Sequence, residues 1–317
     1  MSAMRIKGTP ELLGQALLLL CVLIWGVNAV AFKVALRPEA VGQAGPGLDA
    51  PMLNGLRFLV VAPIMAAMVA WRRPSDLRID RRDAARFAVY GFVAIAFGET
   101  VLTQALQYTA VANMSLLGPG TISLFTAVWA ALMGEQGLSR VGWTGAFVAF
   151  LGVGVVAGTG PGGFAMDPQS LIGDALALLR SAVHALYLLF LARTLRERPA
   201  MTATVWNIVF GALWFLPYVA WRAPQLEWSR IPSAVWSALA WTIFPTTLFG
   251  FAAWNWTMRR VGAVSASNVM FLLPFTGAAA AWAILGEPLR AGQVLGGAVI
   301  VAGIVLLRWD AFTEGRR

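Results

Sequence analysis

The chain alternates between long apolar runs and short polar connectors. Most of the runs reach the ~20 residues that a helix needs to cross the hydrocarbon core of a membrane. The first run is too long for the core of a signal peptide and has no convincing small-residue cleavage site, so it is counted as a spanning helix. The pattern therefore predicts an all-α integral membrane protein with ten transmembrane helices. The runs cover residues 12–36, 52–70, 85–106, 112–133, 141–158, 171–192, 201–221, 233–257, 263–285 and 291–308.

The second half of the chain repeats the first. Residues 97–135 and 249–287 match when laid 152 positions apart, and the copies end in the pairs Gly134-Glu135 and Gly286-Glu287. Each half holds five helices, an odd number, so the second half must be inverted relative to the first. Two inverted five-helix repeats are the architecture of many secondary transporters. The predicted units are residues 1–158, the linker 159–170 and residues 171–317.

Composition excludes several other classes of protein. Hydrophobic residues make up 59% of the chain and charged residues 12%, outside the usual range for soluble domains. The single Cys21 and the single His184 argue against a disulfide and against a cysteine- or histidine-based metal site. The sequence has no Gly-Lys-Ser/Thr phosphate loop, no paired carboxylates and no nucleophile–base motif. We therefore predict that the protein is not an enzyme and has no cofactor.

The net charge of +9 comes from basic residues that sit mostly in the connectors. This distribution is typical of membrane proteins that orient by the positive-inside rule, and it argues against nucleic-acid binding. With the N-terminus inside, the inner connectors hold 17 of the 24 lysines and arginines and the outer connectors hold five. The remaining two, Arg57 and Arg180, lie within helices. Both termini are therefore predicted to be cytoplasmic, and the linker is predicted to be outside.

Short motifs along nearly the whole chain carry a family resemblance. They are Trp25-Gly26-x-Asn28 and Lys33 in the first run, Leu56-Arg57-Phe58 in the second, Tyr108-Thr109 and Ser115 at the entry to the fourth, both Gly-Glu pairs, and Leu273-Pro274-Phe275-Thr276, thirteen residues before Glu287. With these motifs the chain resembles the EamA-type branch of the ten-helix drug/metabolite transporter superfamily. The family often has a proline where Ile122 stands, whereas this chain has Pro119. We therefore expect the bend in the fourth helix about one turn nearer the outside.

The resemblance implies a function and a location. Helices 1, 3, 4, 6, 8 and 9 of this family are expected to face a central cavity, and neighbouring members often export amino acids or related compounds. The expected protein is a secondary transporter of the bacterial cytoplasmic membrane, a monomer or homodimer, that moves a small-molecule metabolite across the lipid bilayer by alternating access. A membrane sensor or scaffold subunit of the same fold, which carries no solute, is the alternative.

Ionisable residues within spanning helices are costly and are candidates for function. Glu99 in the third run and Arg180 in the sixth lie at similar depths, and we expect them to pair because each offsets the desolvation of the other. Glu99 is the only acid that we place deep in the membrane. The pair either belongs to a solute site or forms an inert bridge between the halves.

Two helical faces carry the predicted solute contacts. Arg180, His184 and Tyr187 share one face of the sixth helix, which suits an anionic or zwitterionic solute, and Trp25 and Asn28 share one face of the first. The substrate-binding residues are therefore predicted to be Trp25, Asn28, Glu99, Arg180, His184 and Tyr187. His184 is either a titrating group that couples protons to transport or a neutral hydrogen-bonding side chain, and both interpretations stay open.

The other polar residues receive structural interpretations. We expect Arg57 to extend toward the lipid headgroups and Lys33 to be either an anchor or the rim of an outer vestibule. Glu135 and Glu287 end helices beside glycine and are interpreted as turn residues. Pro245 and Pro274 are predicted hinges near the middles of helices 8 and 9, because proline frees backbone carbonyl groups.

Overall fold

The computed structural model describes residues 9–135, 138–159, 167–261, 269 and 272–307. In this part of the chain every regular element is helical. Eight helices are long and apolar enough to cross a membrane, and two shorter apolar helices complete the predicted set. The helices are α1 (Thr9–Leu36), α2 (Ala50–Arg72), α3 (Arg81–Ala105), α4 (Val111–Leu132), α5 (Arg140–Ala157), α6 (Pro168–Thr194), α7 (Ala200–Arg222), α8 (Ser233–Trp241, continued by Thr242–Phe249 and Gly250–Val261), α9 (Leu273–Leu285) and α10 (Ala291–Leu307).

The all-α membrane fold is confirmed, and the apolar runs located the helices closely. For nine of the ten runs the helix ends lie within four residues of the ends of the run. The ninth run, 263–285, begins at residues that the structure does not describe. Most of the linker and the basic C-terminus also lie outside the described residues. The agreement has a simple cause, since a helix in lipid must stay apolar over its whole length.

The inversion of the two halves is visible where α5 packs against α10. A Cβ atom added to Gly145 would lie 2.7 Å from the carbonyl oxygen of Gly303, and one added to Gly152 would lie 2.7 Å from that of Gly296. Residue numbers rise along α5 as they fall along α10, so the two helices are antiparallel. They are equivalent helices of the two repeats, and therefore the repeats are inverted. Only glycine permits this close backbone approach.

Six of the remaining helices form two groups around the centre of the molecule. We name the α1 group, in which α1 packs against α8 and α9, and the α6 group, in which α6 packs against α3 and α4. Each group thus combines the first helix of one repeat with two helices of the other. Helix α2 contacts both groups, through α8 and through α3. Side chains on the facing sides of these groups are in position to form a central site.

Helices α3 and α8 each contain a π-helical segment at equivalent positions. The segments are Gly91–Phe97 and Thr242–Phe249, and they are followed directly by Gly98 and Gly250. Only the second contains a proline, Pro245, so proline is not required for the widened backbone. Such segments redirect the side chains that follow them and are frequent at functional sites. The hydrophobic pattern carries no sign of either one.

Helix α4 is interrupted at Pro119, the proline that stands three residues before the position where the family often has one. A 3₁₀ turn spans Pro119–Thr121, and the hydroxyl group of Ser181 on α6 donates to the carbonyl oxygen of Gly118, which the interruption leaves free. The break predicted at Pro119 is therefore present. Pro274 lies in the first turn of α9 as the structure describes this helix, and its role as a hinge stays a prediction. A proline in the first turn removes no intrahelical hydrogen bond.

Candidate functional site

The carboxylate of Glu99 contacts two arginines in the middle of the molecule. Its Oε2 accepts a hydrogen bond from Arg57 Nη1 at 3.0 Å, and its Oε1 lies 3.5 Å from Arg180 Nη2. The Glu99 side chain is 16% exposed, whereas those of Arg57 and Arg180 are 6% and 9% exposed. The predicted contact between Glu99 and Arg180 is present, and it lies directly after the π-helical segment of α3.

Arg57 does not extend to the headgroups, so its predicted position is wrong. Its Nε donates to Thr247 Oγ1 on α8 at 2.9 Å, and its guanidinium lies over the rings of Phe32 and Phe58, 5.3 and 4.6 Å from their centroids. Arg57 therefore connects α8 of the α1 group to Glu99 of the α6 group. Its position five residues from the end of an apolar run suggested snorkelling, but α2 turns this face toward the protein.

Several buried polar atoms at the predicted site have no partner among the described residues. They are Arg180 Nε, His184 Nδ1 and Asn28 Oδ1. An unsatisfied buried polar group costs about 1–3 kcal/mol, and eight further side-chain atoms of the described residues are in the same state. All three belong to residues that the sequence predicted to touch solute. Arginine outnumbers carboxylate two to one at Glu99, which makes this cluster positive.

The α6 face continues from Arg180 through two aromatic rings. The rings of His184 and Tyr187 lie 5.3 Å apart, and Tyr187 meets Tyr90 edge-on at 5.8 Å. The Tyr187 hydroxyl oxygen accepts a hydrogen bond from Asn207 Nδ2 on α7 at 2.9 Å. The phenol is therefore already held by the protein, whereas the imidazole Nδ1 keeps a free position.

The α1 face is attached to the π-helical segment of α8. Trp25 Nε1 donates to the carbonyl oxygen of Thr246 at 3.0 Å, and its ring lies 5.2 Å from that of Trp254. The next residue, Thr247, accepts the hydrogen bond from Arg57. One segment of α8 thus brings the predicted α1 contacts to the charged cluster on α3 and α6.

Asp174 on α6 is a buried acid that the sequence analysis missed. Asp174 Oδ1 accepts from Thr109 Oγ1 at 2.7 Å, and both its oxygens accept from Asn113 Nδ2, at 3.2 and 3.1 Å. Gln293 Nε2 on α10 in turn donates to Asn113 Oδ1 at 2.8 Å. Asp174 is therefore buried by protein although it lies in the second turn of α6, near one end of the molecule. An aspartate four residues into an apolar run resembled a helix-end residue, although its side chain is buried here.

The two Gly-Glu turns carry ion pairs at opposite ends of the molecule. Glu287 pairs with Lys33 and also accepts a hydrogen bond from the Val111 backbone nitrogen at 2.9 Å, and Glu135 pairs with Arg193. Lys33 is thus an ion-pair partner of Glu287. Arg193 lies in the last turn of α6, whereas Lys33 contacts Thr109, which in turn contacts Asp174 near the start of the same helix. Because α6 has 27 residues and is about 40 Å long, the two pairs lie at opposite ends of the molecule. We call these ends the Lys33 end and the Arg193 end.

Comparison with known proteins places this arrangement in context. The sequence model of the EamA-like transporter family matches residues 12–158 and 171–309. A protein of Salmonella typhimurium named "Probable amino-acid metabolite efflux pump" is 26% identical, with 92% of this chain and 93% of that protein covered. A "Probable terminal-alkyne amino-acid exporter" of Streptantibioticus cattleyicolor is 25% identical, with 95% and 97% covered. An uncharacterized transporter of Bacillus subtilis is 24% identical, with 78% and 81% covered.

A solved structure shares the fold. A crystal structure of a protein superposes with a TM-score of 0.61 at 17% identity, covering 94% of this chain and 96% of the other. The similarity therefore extends over nearly the whole length of both chains.

Proposed function

The chain belongs to the EamA-like transporter family, and from that premise we propose that it exports small organic metabolites, amino acids or related compounds. It is a multi-pass membrane protein, and relatives of similar length are named as transporters and efflux pumps. We propose the bacterial cytoplasmic membrane as its location. The solute would bind between the α1 group and the α6 group and cross by alternating access.

One observation supports this proposal above the others. The Arg57–Glu99–Arg180 cluster lies between the two helix groups, and Arg57 contacts both of them. Charged side chains within spanning helices are expensive, and a scaffold of this fold has no need of them. A solute that competes for this cluster changes the contacts between the groups, which is the coupling that alternating access requires.

The proposal is tested by measuring extracellular metabolites. Cells that overexpress the protein should accumulate specific compounds in the medium relative to an empty-vector control, and Arg180→Gln should abolish the difference. Arg37→Gln makes the same chemical change at an exposed connector and should leave export intact. A wild-type protein that reaches the membrane and changes no extracellular pool would favour the sensor or scaffold alternative.

The proposed orientation has a separate test. We propose that both termini are cytoplasmic, and that residues 1–158 and 171–317 are the two repeats, joined by an external linker at 159–170. A reporter fused after Arg317 should then lie in the cytoplasm, and one inserted in the linker should lie outside. A linker reporter inside the cell would contradict this orientation.

His184 is the first residue to test for proton coupling. Its Nδ1 has no partner among the described residues, and it lies one turn from Arg180 on the same face of α6. The change His184→Gln keeps hydrogen bonding and removes titration, so transport in reconstituted vesicles should continue and lose its dependence on the pH gradient. An unchanged dependence would exclude His184 and leave Glu99 and Asp174 as the acids to test.

A further inference from the structure

We propose that Arg180 binds a carboxylate group of the transported solute, and that Glu99 occupies this carboxylate position while the site is empty. The inference deepens the proposed function and rests on it, because it assigns the solute class to carboxylic acids, amino acids included. Arg57 then has a distinct role, since it holds Glu99 when the solute takes its place on Arg180.

Glu99 is shared unequally between Arg57 and Arg180. Its hydrogen bond to Arg57 is 3.0 Å long, whereas its contact with Arg180 is 3.5 Å. Charge-assisted hydrogen bonds between arginine and carboxylate are usually 2.7–2.9 Å, so the second contact is weak. Glu99 is therefore held by Arg57, and Arg180 is the partner that can be released at small cost.

Arg180 has a hydrogen-bond donor that has no partner among the described residues. The N–H bonds of its Nε and Nη2 lie along one edge of the planar guanidinium group and together form the fork that binds a carboxylate through two hydrogen bonds. Glu99 reaches only Nη2, and Nε is buried without a partner. This fork is half used. A solute carboxylate that displaces Glu99 can accept from both donors.

The two arginines at Glu99 carry more positive charge than this one carboxylate can neutralise. Arg57 alone neutralises Glu99, which leaves the positive charge of Arg180 in excess in a side chain that is over nine-tenths buried. Asp174, on the same helix, contacts Thr109 and Asn113, and the described residues contain no other carboxylate in contact with Arg180. An uncompensated buried charge is costly, and an anionic solute group supplies the missing charge.

The test measures thermal stabilisation of the purified full-length protein by two matched sets of probes. One is a mixture of L-amino acids and the other a mixture of their C-terminal amides, which keep the amino group and side chain but replace the carboxylate by a neutral group. We expect the acids to raise the unfolding midpoint with an apparent affinity at least about tenfold higher than that of the amides. Equal effects of both sets, or no stabilisation by the acids, would overturn the inference.

Three variants then separate this role from simple packing. Glu99→Gln removes the competitor and should lower the apparent Kd for the acids about tenfold, whereas Arg57→Gln releases Glu99 to Arg180 and should raise it about tenfold. Arg180→Lys keeps the charge without the fork and should lose the preference for acids over amides. Residues that only support the fold would lower the unfolding midpoint without moving these ratios. A Glu99→Gln protein that binds acids no more tightly than wild type contradicts the proposal.

The result also stays distinct from the proposed function. A protein that exports solutes without preferring carboxylates would keep its transport function and lose this assignment of Arg180. A protein that binds acids selectively and exports nothing would keep the binding site and refute the transport proposal.

Discussion

The Lys33 end and the Arg193 end carry the same ion pair in different surroundings. At each end a glutamate from a Gly-Glu turn pairs with a cation near the end of the first helix of the other repeat. The side chains of Lys33 and Glu287 are 15% and 21% exposed, whereas those of Arg193 and Glu135 are 52% and 33% exposed. Two copies of one sequence feature therefore differ in energetic weight, because burial decides how strongly water screens an ion pair.

The Lys33 end also has polar contacts that connect the two repeats. Lys33 donates to the carbonyl oxygen of Thr109 at 3.2 Å, and the Thr109 hydroxyl group donates to buried Asp174. The Arg193 end has further ion pairs between the repeats: Glu197 in the pair with Arg86 is mostly exposed, whereas Asp83 in the pair with Arg198 is buried. Of the two Gly-Glu ion pairs, the one at the Lys33 end is therefore the more buried one. Under the alternating access proposed above, a second conformation would reverse that difference in burial.

The largest effect is expected for Glu287→Gln. The change leaves Lys33 half-buried without its counter-charge, while the glutamine oxygen can still accept from the Val111 nitrogen. Loss of one partner of a buried pair costs about 3–5 kcal/mol and of an exposed pair at most about 1 kcal/mol, so this intermediate case should cost about 2–3 kcal/mol. The measurement is the thermal unfolding midpoint in detergent. The double change Lys33→Met with Glu287→Gln should recover part of the loss, and a neutral single variant would refute the difference between the ends.

A smaller loss is expected for Asp174→Asn. The new amide group turns one hydrogen-bond acceptor into a donor, which then faces the donors of Thr109 and Asn113 and should cost about 1–2 kcal/mol. Asp167→Asn on the same helix is the matched control. Asp167 caps α6 by accepting from the Ser170 nitrogen, and asparagine caps helices equally well. Equal unfolding midpoints for the two variants would mean that the Asp174 contacts do not stabilise the Lys33 end.

Glu135→Gln is the counterpart of Glu287→Gln at the Arg193 end. Both members of its ion pair are well solvated, so the change should cost less than about 1 kcal/mol in the same unfolding assay. A loss as large as that of Glu287→Gln would show that the two ends are equally closed in solution. The conformation described here would then not be the dominant one.

The smallest effect is expected in the response to salt. Raising the ionic strength from ~0.05 M to ~0.5 M shortens the screening length and should remove most of the stability difference between wild type and Glu135→Gln. The difference caused by Glu287→Gln should persist, because its ion pair is less accessible to ions. Parallel salt responses of the two variants would contradict the contrast in burial.

Much of the architecture could be predicted because lipid restricts the sequence so strongly. A spanning helix must be apolar over about 20 residues, so nine of the ten runs located their helices within a few residues. The repeat with an odd number of helices required inversion, which the packing of Gly145 on Gly303 now displays. The Glu99–Arg180 contact followed from depth alone, since ionisable groups at one level of an apolar medium have few other partners.

The sequence by itself thus determined the membrane fold, the inverted repeat and one contact of the central cluster, and the tertiary structure decided the rest. Arg57 turned inward to Glu99 and Thr247, Asp174 found its donors on α4 and at the end of α3, and two helices adopted π-helical segments. Hydropathy could not foresee these features. Lipid tails and a protein interior are equally apolar, so the pattern does not distinguish the face of a helix that meets lipid from the face that meets another helix.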